Sequence, residues 1–127
     1  MASAAEKLEL SMKHLKKVQG AWDPLDWADL SMYGLYCLEA AVDAAAISFG
    51  VPLKAEHWSR VAAAQTLHTR HGLADVADLL RDLNAVRKSE AYGDVEAPEL
   101  DAEQVAGQIE SYVEAVAQAL RSGDETQ

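Results

Sequence analysis

The stretch "WADLSMYGLYCLEAAVDAAAISFG", residues 27–50, decides the fold class. It is apolar on almost every side of a helix, and its only charged residues are Asp29, Glu39 and Asp43. A helix that lacks a polar face must be surrounded by other elements of the protein. The sequence therefore predicts a central helix that covers residues 24–49.

This central helix is unusually rich in small residues. Small side chains allow a neighbouring backbone to approach closely, either within the domain or across a dimer interface, although alanine is also simply a good helix former. The small residues are Gly34, Ala40, Ala41, Ala44, Ala45 and Ala46.

Apolar residues recur at helical spacing in four further segments, 4–19, 54–71, 73–92 and 102–121. The predicted core residues of these four segments are Leu8, Met12, Leu15 and Val18; Trp58, Val61, Ala62 and Leu67; Val76, Leu79, Leu80, Leu83 and Val86; and Val105, Ile109, Tyr112, Val113, Val116 and Leu120. No segment alternates apolar and polar residues as a strand does. We therefore predict an all-α, compact, up-and-down bundle of about five helices.

The boundaries of these helices follow from turn and capping residues. Glycine readily takes the left-handed conformation that ends a helix, and Gly50 and Gly72 stand where helices two and three should stop. Asp101 begins a capping pattern for the last helix. The bundle is predicted to be one domain, residues 1–121, with a frayed tail at 122–127.

The charge of the chain limits the ligands that it can bind. Eleven basic residues oppose 21 acidic ones, for a net charge of −10. This balance argues against a protein that coats duplex DNA, because that affinity comes from lysine and arginine on phosphates. Locally, residues 54–88 hold six basic and four acidic residues, whereas residues 96–127 hold one basic and eight acidic. An anion site is therefore expected in the middle of the chain.

The single cysteine and the N-terminus bear on the compartment. Cys37 has no partner for an internal disulfide and lies in an apolar run, so it resembles a small buried hydrophobe. The chain begins without a signal-peptide pattern, and its longest uncharged run, residues 44–53, is too short to span a bilayer. We expect a cytoplasmic protein that is not embedded in a membrane.

Three histidines, His57, His68 and His71, lie in the third predicted helix. His68 and His71 have a spacing that could chelate a metal, but no motif supplies the remaining ligands. The glycines stand singly and form no phosphate-binding loop. The sequence therefore predicts no metal and no cofactor.

The stretch "DLNAVRKSEAYGD", residues 82–94, holds the strongest candidate site. Asn84 and Arg87 share a helix face that continues towards Tyr92, and a guanidinium with two hydrogen-bonding neighbours suits phosphate or carboxylate. In the alternative, Arg87 pairs with Glu90 or with an acidic residue of helix five, and Tyr92 packs against the helix end. Residue chemistry alone favours the alternative.

The order of "WADLSMYGLYCLEAAVDAAAISFG", "LHTRHGLADVADLLRDLNAVRKSEAYGD" and an acid-capped last helix resembles the HEPN family, the higher eukaryotes and prokaryotes nucleotide-binding domains. The resemblance covers residues 25–120. It implies a homodimer with a composite, metal-independent ribonuclease site, built from an arginine and a histidine four to six residues later. Many members are toxins that are encoded beside a nucleotidyltransferase antitoxin.

The chain departs from the family motif at two positions. Arg87 matches the family arginine, but Tyr92 stands where histidine is expected, and Lys88 stands where active members often have Asn, Asp or His. Tyrosine has an ordinary pKa of about 10 against about 6.5 for histidine, so it is a poor proton acceptor at neutral pH. The replacement of histidine by tyrosine would therefore impair general-base catalysis more than it would impair phosphate binding by Arg87.

The resemblance thus implies a degenerate site. Arg87 and Tyr92 occupy the positions of the family's catalytic residues, and Asn84, Arg87 and Lys88 would bind an RNA or nucleotide phosphate. Catalysis is uncertain and, if present, would be metal-independent endoribonuclease activity. Two alternatives remain: a non-catalytic protein-interaction module, and an enzyme that uses one of the three histidines.

Overall fold

The computed structural model describes residues 3–21, 27–54, 56–92 and 100–125. These residues form five α-helices and no strand, so the predicted all-α bundle is confirmed. The helices are α1 (Ala4–Ala21), α2 (Trp27–Phe49), α3 (His57–His71), α4 (Ala77–Tyr92) and α5 (Ala102–Glu125).

Helix α2 is the centre of the bundle, as its apolar sequence predicts. It packs against each of the other four helices. Its large apolar side chains Leu30, Leu35, Leu38 and Val42 are all at most 2 % exposed. Burying a leucine or valine side chain contributes roughly 1.5–3 kcal/mol, so this helix supplies much of the stability of the fold.

The small residues of α2 are used inside the domain. Ala41, Ala44, Ala45 and Ala46 are completely buried. A Cβ atom placed on Gly34 would lie 3.0 Å from Cδ1 of Ile109 in α5 and 3.8 Å from Cδ1 of Leu83 in α4. Gly34 therefore lets α4 and α5 approach α2, and the buried alanines are used in the core of the domain.

Local signals set several helix ends. Gly50 and Gly72 have φ angles of 70° and 74°, the left-handed conformation that glycine adopts without strain. The Asp101 carboxylate accepts hydrogen bonds from the backbone N–H groups of Glu103 (2.9 Å) and Gln104 (3.2 Å). These predicted ends are confirmed.

Other boundaries differ from the prediction. Helix α3 begins at His57 and not at residue 54, because the backbone N–H of Lys54 donates to the Ser59 hydroxyl (2.8 Å) and stays outside the helix. Helix α4 begins at Ala77 and not at residue 73, because the Asp75 carboxylate accepts the Ala77 N–H (3.1 Å).

The outer ends of the bundle differ as well. Helix α5 continues to Glu125, so residues 122–125 are helical and the predicted tail is too long. Helix α1 continues to Ala21, two residues beyond the predicted end. The predicted start of α2 at residue 24 lies outside the described residues.

Three predicted core residues are exposed. Trp58 and Ala62 lie on the outer side of α3, and 63 % of Trp58 is exposed, because the buried line of this helix runs through Val61, Ala64 and Leu67. Met12 is 49 % exposed. Other residues of α1 lie on its inner face, among them Ser11, which is completely buried and which the apolar pattern did not predict as a core residue.

The remaining core predictions for α4 and α5 agree with the structure. Val76, Leu79, Leu80, Leu83 and Val86 are buried at or beside α4. In α5, all predicted core residues are buried except Leu120, which is partly buried against the core.

The segment Leu30–Phe49 of α2 is long and apolar enough to cross a membrane by length and composition, the only such helix among the described residues. In the bundle, however, 72 % of this window is buried inside the protein. Its apolar character thus has a use within the fold, as the core helix around which the others pack.

Candidate anion-binding site

Asn84 and Arg87 come together on helix α4, as their spacing of three residues predicts. The Nη2 atom of Arg87 donates a hydrogen bond to Oδ1 of Asn84 at 3.0 Å, and both side chains are partly buried. The amide thus holds one edge of the guanidinium in place.

The Nε atom of Arg87 is buried and has no hydrogen-bond partner within the described part of the chain. A buried donor without an acceptor costs about 1–3 kcal/mol, and more when it belongs to a charged group. The fold therefore leaves a charged donor that an acceptor oxygen would satisfy.

The alternative partners of Arg87 can be compared with this geometry. Among the described side chains no ion pair involves Arg87, so an acidic residue of α5 does not neutralise it there. The side chain of Glu90, the other expected partner, lies outside the described residues. Within the described part of α5, which includes Glu103, Glu110 and Glu114, no carboxylate pairs with Arg87.

Of the other two predicted site residues, only Lys88 has a described side chain, and it takes no part in this contact. Lys88 is exposed and has no hydrogen bond or ion pair in the described part of the chain. Tyr92 is the last residue of α4, but its side chain lies outside the described residues. The structure therefore assembles Asn84 with Arg87 and leaves Lys88 on the neighbouring surface.

A buried charge cluster joins helices α1, α2 and α3, and the sequence analysis did not predict it. We call Lys7, Glu39, Asp43, His57 and Arg60 the Asp43 cluster. Asp43 is 2 % exposed, and its two carboxylate oxygens accept hydrogen bonds from Nε and Nη2 of Arg60, both at 2.9 Å. The Lys7 ammonium approaches the same carboxylate at 3.3 Å.

Glu39 extends this cluster by one helical turn. Its carboxylate lies 3.7 Å from Nη1 of Arg60 and 3.5 Å from Nδ1 of His57. Hydrogen bonding to Asp43 raises the pKa of Arg60, and the charges of both carboxylates add to this effect. The guanidinium therefore stays charged although it is largely buried.

The chemistry of the Asp43 cluster is that of a structural cross-link. Lys7 and Arg60 balance the carboxylates of Glu39 and Asp43, so these four side chains have no net charge with which to bind an anion. The Nε2 atom of His57 is buried and has no partner in the described residues. In the sequence, the one signal for this cluster was the i, i+4 spacing of Glu39 and Asp43, which are the only charged residues in the central part of α2.

The other two histidines of α3 have separate local contacts. Nδ1 of His68 lies 2.8 Å from the carbonyl oxygen of Leu73, and the ring of His71 stacks on Phe49 at 4.3 Å between ring centres. Within the described ranges, no group of three or more His, Cys, Asp or Glu side chains could hold a metal ion. His68 thus makes a contact just beyond the end of α3, and His71 makes a ring contact with Phe49.

Cys37 is the inert buried thiol that the sequence predicts. It is completely buried, its Sγ atom lies 3.3 Å from the carbonyl oxygen of Ser11, and burial raises the pKa of the thiol to about 11. A thiol of this kind is neither accessible nor ionised at neutral pH.

No protein-family model matches the chain, and no curated protein matches it either.

Proposed function

We propose that the protein is a HEPN-like, homodimeric helical domain that binds the phosphate of an RNA or a nucleotide at Asn84, Arg87 and Lys88. One observation carries the proposal: Asn84 holds one edge of the Arg87 guanidinium, while the buried Nε–H finds no acceptor among the described residues. A phosphate offers several strong acceptor oxygens to such a group. The exposed ammonium of Lys88 adds a second positive charge beside it.

Binding is favoured over cleavage. In the family that the chain resembles, the composite site needs an arginine and a histidine from two protomers, and here Tyr92 takes the histidine position. An ordinary tyrosine has a pKa of about 10, so a neutral phenol accepts a proton poorly at physiological pH. Any remaining cleavage would be metal-independent, and a nucleotidyltransferase-type antitoxin would be the expected partner of a toxin-like member.

A second candidate function is a non-catalytic protein-interaction module, and the exposed Trp58 favours it. This side chain is 63 % exposed, its ring lies 5.8 Å from the Lys54 ammonium, and it borders a cavity of about 270 Å³ lined by aliphatic residues. Tryptophan beside an apolar pocket is frequent at the centre of protein–protein interfaces. Under this proposal the surface of α3, and not that of α4, contacts the partner.

The test compares Arg87→Ala with Arg81→Ala. Both arginines lie on α4, but Arg81 is 52 % exposed and pairs with Asp78, so its loss is the matched control. We expect Arg87→Ala to abolish binding of a labelled RNA mixture in a filter assay with EDTA, and Arg81→Ala to bind as the wild type does. Equal binding by all three proteins would contradict the phosphate site and leave the interaction module.

Tyr92→Phe separates binding from catalysis in the same assay. Loss of one hydroxyl hydrogen bond costs about 0.5–1.5 kcal/mol, roughly three- to tenfold in affinity, whereas loss of a general base costs about a hundredfold or more in rate. We expect the smaller effect. EDTA-resistant cleavage by the wild type that disappears in Tyr92→Phe would show instead that the tyrosine is catalytic.

A further inference from the structure

The cavity of about 270 Å³ beside Trp58 has a wall that hydrogen bonds hold in place. This wall is the segment that connects α2 to α3. Near one end of the segment the backbone N–H of Val51 donates to the carbonyl oxygen of Ala46 (2.8 Å), and near the other end that of Lys54 donates to the buried Ser59 hydroxyl (2.8 Å). The cavity is therefore formed in advance, which lowers the ordering cost of binding.

The residues that line this cavity define which chemical group it fits. Most of the lining is apolar, and Lys54 is the only charged residue among the described residues that line it. Its ammonium lies 5.8 Å from the centre of the Trp58 ring. The aliphatic lining residues are Val51, Pro52, Leu53, Ala62 and Ala63. The cavity thus suits an apolar group with a negative charge beside it. Its volume is below the roughly 300–1,000 Å³ of small-molecule sites, which favours a protein side chain as the occupant.

The exposed face of α3 around the cavity has the composition of an interface core. Between Trp58 and Thr69, the exposed residues of α3 include no lysine, arginine, aspartate or glutamate. The centres of protein–protein interfaces are likewise poor in charge and rich in aromatic residues. Exposed cations lie at the two ends of this face, Lys54 at one and Arg70 at the other, and neither forms an ion pair in the described part of the chain. Glu56 is the only acidic residue between them, and it does not line the cavity.

We infer that this face of α3 docks a partner protein that inserts an apolar side chain into the cavity and places an aspartate or glutamate against Lys54. Tryptophan beside a pocket is a frequent anchor of protein binding, and the opposite charges fix the orientation of the partner segment. A nucleic acid fits poorly, because its affinity needs several cations on phosphates and only one lines the cavity. The inference deepens the interaction-module candidate and does not depend on the Arg87 site.

The test uses two capped tetrapeptides that differ only in charge. One has two leucines followed by aspartate and glutamate, and the other has asparagine and glutamine in place of the two acids. Each is titrated into the ¹⁵N-labelled protein. We expect the acidic peptide to shift the amide signals of Lys54, Trp58 and Ala63 and to bind about two- to fivefold more tightly than the neutral peptide, which is the contribution of an exposed ion pair.

Variants separate the charge from the apolar cavity. Lys54→Gln should lower the affinity for the acidic peptide to that for the neutral peptide, whereas Lys16→Gln, which removes an exposed lysine of α1, should bind as the wild type does. Trp58→Ala should abolish binding of both peptides. Trp58 is largely exposed, so this variant should fold, which circular dichroism verifies. Ala62→Leu narrows the cavity while it keeps the tryptophan, and it should weaken binding of both peptides.

The inference is overturned if millimolar acidic peptide causes no saturable shift of these signals, if the two peptides bind wild type equally, or if Lys54→Gln has no more effect than Lys16→Gln. Loss of labelled RNA binding in Trp58→Ala would also overturn it, because a nucleic acid would then occupy this face. Arg87→Ala should still bind the acidic peptide, so failure of the phosphate site and failure of this inference are distinguished.

Discussion

At the scale of single residues, three arginines show that surroundings decide what a guanidinium does. Arg60 forms two hydrogen bonds with a buried carboxylate, and Arg81 pairs with a carboxylate that is itself 88 % exposed. Arg87 keeps a buried donor that has no acceptor in the described part of the chain. The first is a cross-link, the second is surface charge and the third is a ligand-binding candidate. The side-chain chemistry is the same in all three, and only the partners differ.

The Asp43 cluster predicts a large difference between two arginine-to-alanine variants. Arg60→Ala leaves the Asp43 carboxylate buried with only Lys7 to balance it, and breaking a buried ion pair costs roughly 3 kcal/mol or more. Arg81→Ala removes an exposed pair with Asp78 and should cost less than about 1 kcal/mol. Urea unfolding, followed by circular dichroism, gives both free energies of unfolding. Equal losses would mean that the cluster does not stabilise the contact between α2 and α3.

At the scale of elements, two buried serines lie on the inner faces of α1 and α3. The Ser11 hydroxyl donates to the carbonyl of Cys37 at 2.8 Å, and the Ser59 hydroxyl accepts the N–H of Lys54 at 2.8 Å. Each serine satisfies a backbone group in the interior, so it points inward although it is polar. Met12 and Trp58, which neighbour these serines in the chain, therefore lie towards the outside.

Packing between α2 and its neighbours predicts opposite effects at two helical glycines. Gly34→Val should destabilise the protein by about 1–3 kcal/mol, because even a Cβ there meets Ile109 of α5 at 3.0 Å and overpacking forces the core to move. Gly107 is also helical, but a Cβ there meets nothing within 4 Å. Gly107→Ala should therefore stabilise by about 0.5–1 kcal/mol through helix propensity alone.

Thermal or urea unfolding of the two glycine variants measures these changes against the wild type. A Gly34→Val protein that is as stable as Gly107→Ala would contradict the close approach of α2 and α5. It would show that the Ile109 side chain moves aside at no cost.

At the scale of the whole molecule, the bundle has one core that is organised around α2. The buried residues of all five helices form a single cluster, and α2 contacts every other helix. No helix can be removed without exposing part of α2. Domains of this size with one core usually unfold in a single cooperative step, so local opening near the centre of α2 should be rare.

Cys37 gives a direct test of this cooperativity. The thiol is completely buried and has a pKa raised to about 11, so an aromatic disulfide reagent can label it only after the bundle opens. We expect the labelling rate to rise with urea along the same slope as global unfolding, and Arg60→Ala to label faster in proportion to its lost stability. A labelling rate that does not depend on urea would show that α1 separates from α2 without global unfolding.

Several features of the protein follow from the sequence by itself, because they depend on interactions within a few residues of the chain. Helical periodicity identified the helices, and the glycine and aspartate signals at Gly50, Gly72 and Asp101 identified three of their ends. The near absence of charge in α2 identified it as the central helix, and the i, i+3 spacing of Asn84 and Arg87 identified their contact. All of these are properties of one helix or one turn.

Other features were decided only by the tertiary structure, because they depend on residues that are distant in the chain. Arg60 reaches Asp43 across 17 positions, and Ser11 reaches Cys37 across 26, and no short-range pattern specifies such pairs. These contacts determine how each helix is rotated about its axis, and therefore which apolar residues, Met12 and Trp58 among them, remain on the surface. Periodicity defines the apolar stripe of a helix. A buried hydrogen bond to another helix can nevertheless turn that stripe by part of a turn, since leaving the polar group unpaired costs about as much as exposing one apolar side chain.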